Sequence, residues 1–484
     1  MNVLHVSSEV APFAQSGGLA DVVAGLPQAQ AAHGLDTAVL VPLYRGVDAK
    51  LHAAGIAIER GASLPVVFGH YHFEAGLQIA RVGNVRIAFL DIPALYDRSG
   101  SLYGPGGASE FGDNHVRFAA LGKAALGASQ ILFGGPPDVL HVHDWQAGPA
   151  AIYARVAHLP TVVIATVHNL AYRGIFGKDI MVPLGIPWSL FTVKLAEFYD
   201  QVSFLKAGMA LADVVTTVSP SYATEIVTPQ FGEALDGFLS HDVKRLVGIV
   251  NGIDTTAWNP ETDAALPARF SRHDLRGKAI CRRELAREAG LPIDDHEPLV
   301  GVIARMTGQK GLDLVADIVP ELAALGARLV VLGAGEPTFE SRFQWLAQTF
   351  DAHVSTTIGF DVGYARRIYA GSDLFLMPSR FEPCGLGQLY AMRYGTIPVV
   401  HAVGGLRDTV SDPGDAALAR GEGTGFQFSP ASPTALLGAL VRAVRLVHDR
   451  EALARVRVAA MTRDSSWAAS ARDYVELYHS ALGR

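Results

Sequence analysis

Residues 1–42, MNVLHVSSEVAPFAQSGGLADVVAGLPQAQAAHGLDTAVLVP, contain the pattern that decides the fold. An apolar run at 2–8 predicts a strand, residues 19–33 predict a helix that Gly34 ends, and the β-branched run at 37–41 predicts a second, buried strand. A strand, a helix and a second strand of this kind form a βαβ unit, and such units build parallel sheets. The stretch therefore predicts an α/β protein with a doubly wound, Rossmann-like sheet.

Short apolar runs of the same kind recur in both halves of the chain, at 84–92, 137–143, 161–168, 213–219, 245–251, 297–306, 327–335, 353–360, 372–379 and 396–402. The stretch 259–278 between the halves is polar and helix-breaking, and we interpret it as a linker. It would separate two facing α/β domains, 1–258 and 279–464, with a ligand cleft between their strand ends.

The last residues, 465–484, predict a helix with one apolar stripe. The stripe consists of Trp467, Ala471, Tyr474, Leu477 and Tyr478. A stripe at this spacing has to pack on another element, because an exposed one would leave a large apolar surface in water.

Composition excludes several classes of partner. The net charge is −7 and no block of Lys or Arg occurs, which argues against nucleic acid and anionic membranes. No apolar run approaches the roughly 18 residues of a membrane span, and the N-terminus does not resemble a signal peptide. The only cysteines, Cys281 and Cys384, lie far apart, as is typical of a reducing compartment. We therefore expect a cytoplasmic protein of at least two domains.

The segment PFAQSGGLADVV (12–23) places two glycines between the first strand and the first helix. Gly17 and Gly18 would let the backbone approach an anion. The polar residue upstream, Gln15, has no charge to offer. Three interpretations stay open at this point: an anion-binding loop, a tight turn, or a binding loop whose cation lies elsewhere in the chain.

Two cations follow the strand at 297–306. Arg305 and Lys310 are five residues apart across a turn that contains Gly308 and Gly311. Cations placed in this way at the end of a strand can hold a diphosphate by charge-assisted hydrogen bonds. The alternative is a pair of solvated charges beside a turn.

The segment PSRFEPCGLGQLYAMRYG (378–395) contains a carboxylate in a strand-to-helix loop. Burying Glu382 there would be costly without a partner, and sugar hydroxyls would supply one. The amides of Gly385 and Leu386 would open the following helix, where a phosphate could bind. Alternatively, Glu382 pairs with Arg380 or caps the helix.

Two histidines on one predicted strand, His141 and His143, raise the question of a metal site. We predict none, because no third ligand is apparent. Asp144 follows the same strand directly, and His168 lies at the end of the next one, so both are candidates for a site at the strand ends.

In content and order, the motifs of the chain resemble those of the bacterial glycogen synthases and plant starch synthases. The resemblance covers nearly the whole chain and is carried by HVSSEVAPFA (5–14), GGLADV (17–22), HVHDWQAG (141–148), TVHNLAYRGIF (166–176), FLKAG (204–208), VSPSYATEI (218–226), VNGIDTTAWNP (250–260), QKGLDL (309–314), SRFEPCGLGQLYAMRYGTIPVV (379–400), GGLRDTV (404–410) and the tail. It implies a hexosyltransferase of GT-B architecture that transfers glucose from ADP-glucose to the non-reducing 4-OH of an α-1,4-glucan such as glycogen. Configuration would be retained, with no metal or cofactor, and the final helix would cross back to the N-terminal domain.

The resemblance also implies roles for residues at matching positions. Arg305 and Lys310 would hold the donor diphosphate, and the amides of Gly385 and Leu386 would cap it. Glu382 would hold glucose hydroxyls. Further contacts are implied for Cys384 in the pocket wall, Phe360 on the base, Asn251, His168 and Asp144 around the glucose and acceptor, and Gly18 and Asp21 in the opening loop.

The chemistry is consistent with these roles. A glycosyl–phosphate bond needs no acid on the leaving group when cations and amides already neutralise the diphosphate. Because no carboxylate nucleophile is apparent, we favour same-face attack, in which the leaving phosphate receives the proton of the acceptor.

Two positions depart from the family pattern: Gln15 stands where the family usually has Lys, and Gly387 where it usually has Thr. They keep two alternatives open. The first is the same fold acting on UDP-glucose or a small-sugar acceptor, and the second is a non-catalytic protein that binds glucan or nucleotide.

Overall fold

The computed structural model describes residues 1–106 and 109–483. The chain divides into two compact units: Met1–Gly252 with Trp467–Arg484, and Ile253–Ser466. The first unit thus ends six residues before the domain end predicted at 258. The segment 259–278 belongs to the second unit rather than standing between domains, because Phe270 is 4% exposed and packs in the core with Cys281 and Leu285.

The described residues of the first unit form twelve strands. They are β1 (Asn2–Val6), β2 (Asp36–Pro42), β3 (Ile58–Phe68), β4 (Tyr71–Val82), β5 (Val85–Asp91), β6 (Val139–His143), β7 (Val162–Val167), β8 (Ile175–Gly177), β9 (Glu197–Phe198), β10 (Gln201–Ser203), β11 (Val214–Thr217) and β12 (Leu246–Gly248). Nine of them form one sheet in the order β12-β11-β7-β6-β1-β2-β5-β4-β3. All pairs are parallel except those of β4 with β3 and β5.

The helices of this unit are α1 (Gly18–Ala32), α2 (Val47–Ala53), α3 (Pro93–Tyr96), α4 (Asn114–Phe133), α5 (Asp144–Val156), α6 (Phe204–Leu211), α7 (Pro220–Glu225), α8 (Asp236–His241) and the C-terminal helix (Trp467–Ala481). All five residues of the predicted apolar stripe of the C-terminal helix are at most 6% exposed. They pack against Val3, Leu26 and Val139. Gly25 permits this approach, since a Cβ there would lie 2.1 Å from the Trp467 indole nitrogen.

The strand order explains where ligands can bind to this unit. The chain starts at β1 in the middle of the sheet, moves through β2 to one edge, and returns at β6 on the other side of β1. The loops after β1 and β6 therefore diverge at the carboxyl ends of the strands. A crevice at such a switch point is the usual ligand site of a doubly wound sheet.

The second unit has a six-stranded, all-parallel sheet in the order β15-β14-β13-β16-β17-β18. Its strands are β13 (Leu299–Ile303), β14 (Arg328–Gly333), β15 (Val354–Ile358), β16 (Leu374–Met377), β17 (Ile397–His401) and β18 (Phe426–Phe428). Its helices are α9 (Arg276–Glu288), α10 (Leu312–Asp317), α11 (Val319–Ala324), α12 (Pro337–Thr349), α13 (Val362–Gly371), α14 (Gly387–Arg393), α15 (Gly404–Thr409), α16 (Asp415–Ala419), α17 (Pro433–His448) and α18 (Arg450–Thr462). The switch point of this sheet lies between β13 and β16.

None of the helices in the described part of the chain is long and apolar enough to cross a membrane. Every predicted strand is present, in the first half of the chain as well as in the second. The β3–β4 hairpin was not predicted. Its signal is nevertheless in the sequence, because apolar residues alternate through Tyr71, Phe73, Ala75, Leu77 and Ile79.

Candidate functional site

In the second unit, the predicted cation and carboxylate meet at the switch point of the sheet. Lys310 ends a single 3-10 turn (Gly308–Lys310) after β13, and Glu382 lies in the loop after β16. Because these strands are neighbours, their loops leave the sheet side by side. The Lys310 Nζ donates to Glu382 Oε2 at 2.6 Å. The topology therefore joins two residues that are 72 positions apart in sequence.

Glu382 is 6% exposed and already has protein partners. The Ser379 hydroxyl also donates to its Oε2, at 2.8 Å. Burial of this carboxylate thus does not depend on sugar hydroxyls, as we had expected it to. The alternative pairing with Arg380 is wrong, because the two terminal guanidinium nitrogens of that residue donate to the carboxylate of Asp313, at 2.6 and 2.8 Å.

The turn after Glu382 is held from two sides, by residues that the sequence analysis did not single out. The Gln388 amide donates to the carbonyls of Cys384 and Gly385 at 3.1 and 2.9 Å. From the other side, the Gly405 amide donates to the Glu382 carbonyl at 3.0 Å. Gly385 adopts φ 71°, a conformation that favours glycine. The backbone that was predicted to face a phosphate is therefore fixed without a ligand.

Gly387 stands in a crowded position at the start of α14. A Cβ there would lie 3.2 Å from the ring of Phe375 and 3.3 Å from the sulfur of Met377. The space next to the Gly387 Cα is thus occupied by neighbouring side chains. This explains why the threonine usual in the family cannot be restored here without a shift of those neighbours.

The other predicted residues of the second unit differ in exposure. Arg305 follows β13 and is exposed. Phe360 follows β15 and is 85% exposed, which leaves its ring accessible for stacking. Cys384 is 5% exposed and forms no disulfide. The fold places Arg305 on the same strand-to-helix connection as Lys310.

In the first unit, the glycine loop is held by a residue that sequence reasoning missed. Glu9, 3% exposed, accepts from the Ser16 amide at 2.6 Å and from the Gly17 amide at 3.3 Å. Tyr103 donates its hydroxyl to the same carboxylate. The Gly17 amide is therefore directed at Glu9, whereas we had expected it to be available to phosphate. An acidic residue directly after a buried strand was the signal in the sequence.

Gln15 and Asp21 contact each other at the start of α1. The Gln15 amide donates to Asp21 Oδ2 at 3.3 Å. Burial, together with the negative charge of Glu9, raises the pKa of Asp21 to about 6. The partner of Asp21 in this chain is thus the neutral Gln15, which stands where the family usually has a lysine.

At the carboxyl ends of β6 and β7, Asp144 and His168 are joined through the backbone. The Asp144 Oδ1 accepts from the His168 amide at 2.7 Å. Asp144 adopts φ 57°, and burial raises the pKa of its carboxyl to about 7. Near the end of the same unit, Asn251 is 7% exposed, and its side-chain oxygen is buried without a partner in the described residues. That oxygen is suited to accept a hydrogen bond from a ligand.

A third histidine joins the two on β6. His5 on β1 lies beside His141 in the register of the sheet, and His143 lies next to β7. In the part of the chain that the structure describes, these three form the only group close enough to hold a metal ion. All six of their ring nitrogens, however, have hydrogen-bond partners: one another, Gln30, Tyr478, Thr166 and His168. A metal would have to displace those bonds.

Burial keeps these imidazoles neutral. It lowers the pKa of His5 to about 4 and of His168 to about 3, and it lowers the pKa values of His141 and His143 well below the usual 6.5. The cause is desolvation, which disfavours the imidazolium form.

We expect the free energy of unfolding to fall as the pH drops from 7 to 5.5. Below pH 6.5 the unfolded chain binds protons at four histidines that stay neutral when folded, so stability is lost on acidification. Asp144 and Asp21 oppose this loss. Their pKa values are raised in the folded chain, so these carboxylates bind protons at a higher pH there than in the unfolded chain, and acidification stabilises the folded state. The histidines outnumber them, and the net loss should be about 2–3 kcal/mol. Urea unfolding at pH 7 and at pH 5.5 measures this loss of stability. Equal unfolding midpoints at the two pH values would contradict the conclusion that the four imidazoles are neutral in the folded protein.

Comparison with known proteins shows to which family the chain belongs. The family model described as "Starch synthase catalytic domain" matches residues 2–241, and the one described as "Glycosyl transferases group 1" matches residues 297–446. A glycogen synthase of Anaeromyxobacter dehalogenans (strain 2CP-1) is 45% identical to this chain and one of Roseobacter denitrificans is 42% identical, with 100% of both chains covered in each case. The chain belongs to the glycogen synthase family.

Two solved structures share the fold of this chain. The catalytic domain of starch synthase IV from Arabidopsis thaliana, solved with ADP and acarbose, superposes with a TM-score of 0.88 at 32% identity. The match covers 100% of this chain and 99% of the Arabidopsis chain. Sucrose-phosphate synthase from Thermosynechococcus elongatus, at 17% identity and a TM-score of 0.60, shows the fold alone. The protein is therefore a glycosyltransferase with two GT-B-type α/β domains.

Proposed function

We propose that this enzyme transfers glucose from ADP-glucose to the non-reducing 4-OH of an α-1,4-glucan, with retention of configuration. The observation that carries the proposal is the pair of Lys310 and Glu382 at the switch point of the second sheet, 2.6 Å apart. A cation for phosphate next to a carboxylate for hydroxyls suits a sugar diphosphate. The solved relative that contains ADP and acarbose supports the same ligand classes.

The second unit would hold the donor. An ammonium group has three N–H donors, and Lys310 uses one of them on Glu382, so the others can bind the diphosphate together with Arg305. Both described bonds to Glu382 end on Oε2. We therefore assign Oε1 to the glucose hydroxyls. The amides of Gly385 and Leu386 are proposed for a phosphate oxygen, Cys384 for the wall of the pocket, and the exposed ring of Phe360 for the base.

The first unit would hold the glucose and the acceptor. We assign contacts with sugar hydroxyls to His168 and to the unpartnered oxygen of Asn251. Asp144 fixes the backbone of His168, and we place it as a positioning residue rather than one that touches substrate. Gly18 and Asp21 are proposed for the donor side of the opening loop, with Glu9 keeping that loop in place.

The reaction would proceed by same-face attack. Arg305 and Lys310 stabilise the charge that develops on the departing diphosphate. The acceptor 4-OH attacks the anomeric carbon from the side that the diphosphate leaves, and its proton passes to a leaving phosphate oxygen. The glycosyl–phosphate bond breaks, the new α-1,4 bond forms, and ADP is released. Alignment of donor and acceptor supplies much of the remaining acceleration.

Radiolabelled ADP-glucose offered together with glycogen tests the proposal. Labelled polymer is expected. UDP-glucose at matched concentration tests the choice of donor, because Gln15 and Gly387 depart from the family pattern at positions that bear on donor binding. The non-catalytic alternative would be indicated if the folded protein binds ADP but turns over none of the nucleotide-glucoses offered to it.

We expect Gln15→Lys to lower the KM for ADP-glucose about three- to tenfold, because an added cation would contact the donor phosphates. The neighbouring Asp21 competes for that cation, since its carboxylate oxygen is 3.3 Å from the Gln15 amide. Gln15→Met, which removes the amide without adding charge, is the matched control. Steady-state kinetics with varied donor measure the effect, and equal KM values for both variants would show that position 15 does not face the phosphates.

We also propose a reducing compartment, the cytoplasm, for this protein. The support is that both cysteines, Cys281 and Cys384, are buried and neither forms a disulfide.

A further inference from the structure

A continuous chain of hydrogen bonds runs through the first unit from the C-terminal helix to His168. The Gln30 Nε2 donates to the Tyr478 hydroxyl at 2.9 Å, and the Gln30 Oε1 lies 2.8 Å from His5 Nε2. The His5 Nδ1 lies 3.0 Å from His143 Nε2, and the His143 Nδ1 lies 3.0 Å from His168 Nε2. We call these five residues the imidazole chain.

The interior of the imidazole chain is sealed from solvent. Tyr478, Gln30, His5 and His143 are all 0% exposed. His168 is partly exposed, so the chain reaches the surface of the unit at this residue. Only His168 among the five is therefore in a position to contact a ligand.

With the Gln30 oxygen facing His5, the hydrogen atoms along the chain have one consistent order. A neutral imidazole carries one N–H and one lone pair, and burial keeps the pKa values of these histidines below their usual range. The Gln30 oxygen can only accept, so His5 carries its hydrogen on Nε2 and accepts at Nδ1. His143 must then donate from Nε2 and accept at Nδ1. Because His143 Nδ1 accepts, His168 has to donate to it, and the hydrogen of His168 therefore lies on Nε2.

We propose that the imidazole chain fixes the tautomer of His168, so that its Nδ1 presents a lone pair to a sugar hydroxyl. His5, His143, Gln30 and Tyr478 are positioning residues in this account, and His168 is the residue that touches the ligand. The identity of the ligand, a sugar hydroxyl, rests on the proposed function. The tautomer of His168 does not depend on that function.

The hydrogen-bond partners on the far side of the chain are compatible with this order. When the Tyr478 oxygen accepts from Gln30, its own hydrogen is directed at His141 Nδ1, 2.7 Å away. His141 then donates from Nε2 to the hydroxyl oxygen of Thr166 at 2.5 Å. The orientation of one carboxamide, that of Gln30, thus sets the hydrogen-bonding polarity of His168.

Ring-nitrogen chemical shifts in full-length protein labelled with ¹⁵N-histidine test the tautomer without any assay. We expect a protonated Nε2 and an unprotonated Nδ1 for His168. His143→Phe should make the two nitrogens exchange between both states, because the acceptor for Nε2–H is lost. His143→Asn should keep the wild-type pattern, since its side-chain oxygen can stand where Nδ1 stood. A protonated Nδ1 in the wild type would overturn the proposal.

The second measurement uses donor analogues in which one glucose hydroxyl at a time is replaced by fluorine, which cannot donate a hydrogen bond. At one position the wild type should lose about fivefold in kcat/KM relative to ADP-glucose. This penalty should nearly vanish in His143→Phe and persist in His143→Asn. An equal penalty in all three proteins would overturn the proposal. If ADP-glucose gives no turnover at all, the proposed function fails, while the chemical shifts still decide the tautomer.

Tyr478→Phe tests the far end of the imidazole chain. It leaves Gln30 without its acceptor and should mix the tautomers of His168. Tyr153→Phe is the matched control, because it also removes a buried hydroxyl bond in the same unit, to the Leu184 carbonyl at 2.8 Å, outside the chain. The proposal is contradicted if Tyr478→Phe and Tyr153→Phe both leave the His168 shifts unchanged.

Discussion

Glu382→Ala should lower kcat/KM by a factor that corresponds to about 2–4 kcal/mol of lost transition-state stabilisation. Two effects combine. The glucose hydroxyls lose their proposed acceptor, and Lys310 loses the carboxylate that holds its ammonium group at 2.6 Å. The measurement is steady-state kinetics with ADP-glucose and glycogen. Circular dichroism and thermal unfolding establish that the variant is folded.

Glu382→Gln separates the two effects. The amide keeps an oxygen that can accept from a hydroxyl but removes the negative charge beside Lys310. We expect an intermediate loss of activity. A change of less than tenfold in Glu382→Ala would mean that Glu382 does not touch the transferred sugar.

Lys310→Ala should weaken ADP binding about 10- to 100-fold, since a charge-assisted hydrogen bond contributes about 1.5–3 kcal/mol. The catalytic rate should fall as well, because the same cation meets the developing charge of the leaving group. Isothermal titration of ADP measures the first effect independently of turnover.

The substitution also leaves Glu382 buried without its cation, so the variant should be less stable than the wild type. Arg342→Ala is the matched control. It breaks an exposed ion pair with Asp317 in the same unit, where the two side chains are 40% and 42% exposed. Such pairs contribute little, so the control should bind ADP like the wild type. Unchanged ADP affinity in Lys310→Ala would remove this residue from the phosphate site.

The sequence predicted the fold well because strand patterns are local. The buried runs VLHVH and RLVVLG are apolar, short and followed by helices, and both form parallel strands with a neighbour on each side. The segment 259–278 was harder, because polar residues cover most of it while Phe270 is buried beneath them. Local composition indicates exposure on average and does not show which single side chain fills a core.

The candidate site was predicted only residue by residue. Lys310 and Glu382 were both identified, but their contact depends on the adjacency of β13 and β16, which no local pattern contains. The third histidine was missed for the same reason. His5 meets the histidines of β6 through strand pairing, across 136 positions of sequence for His141. Partners brought together by a sheet become visible only when the strand order is known.

The C-terminal helix has a consequence for how the protein is made. Residues near the start of the described chain, Val3 and Leu26 among them, are covered by residues that are synthesised after every described strand. A nascent chain that has reached residue 466 contains all the strands β1 to β18, yet its first unit still lacks Trp467, Tyr474 and Tyr478. The apolar surface of that unit is therefore covered only after residues 467–478 have left the ribosome, and a ribosome stalled before residue 467 would hold a chain that still exposes it.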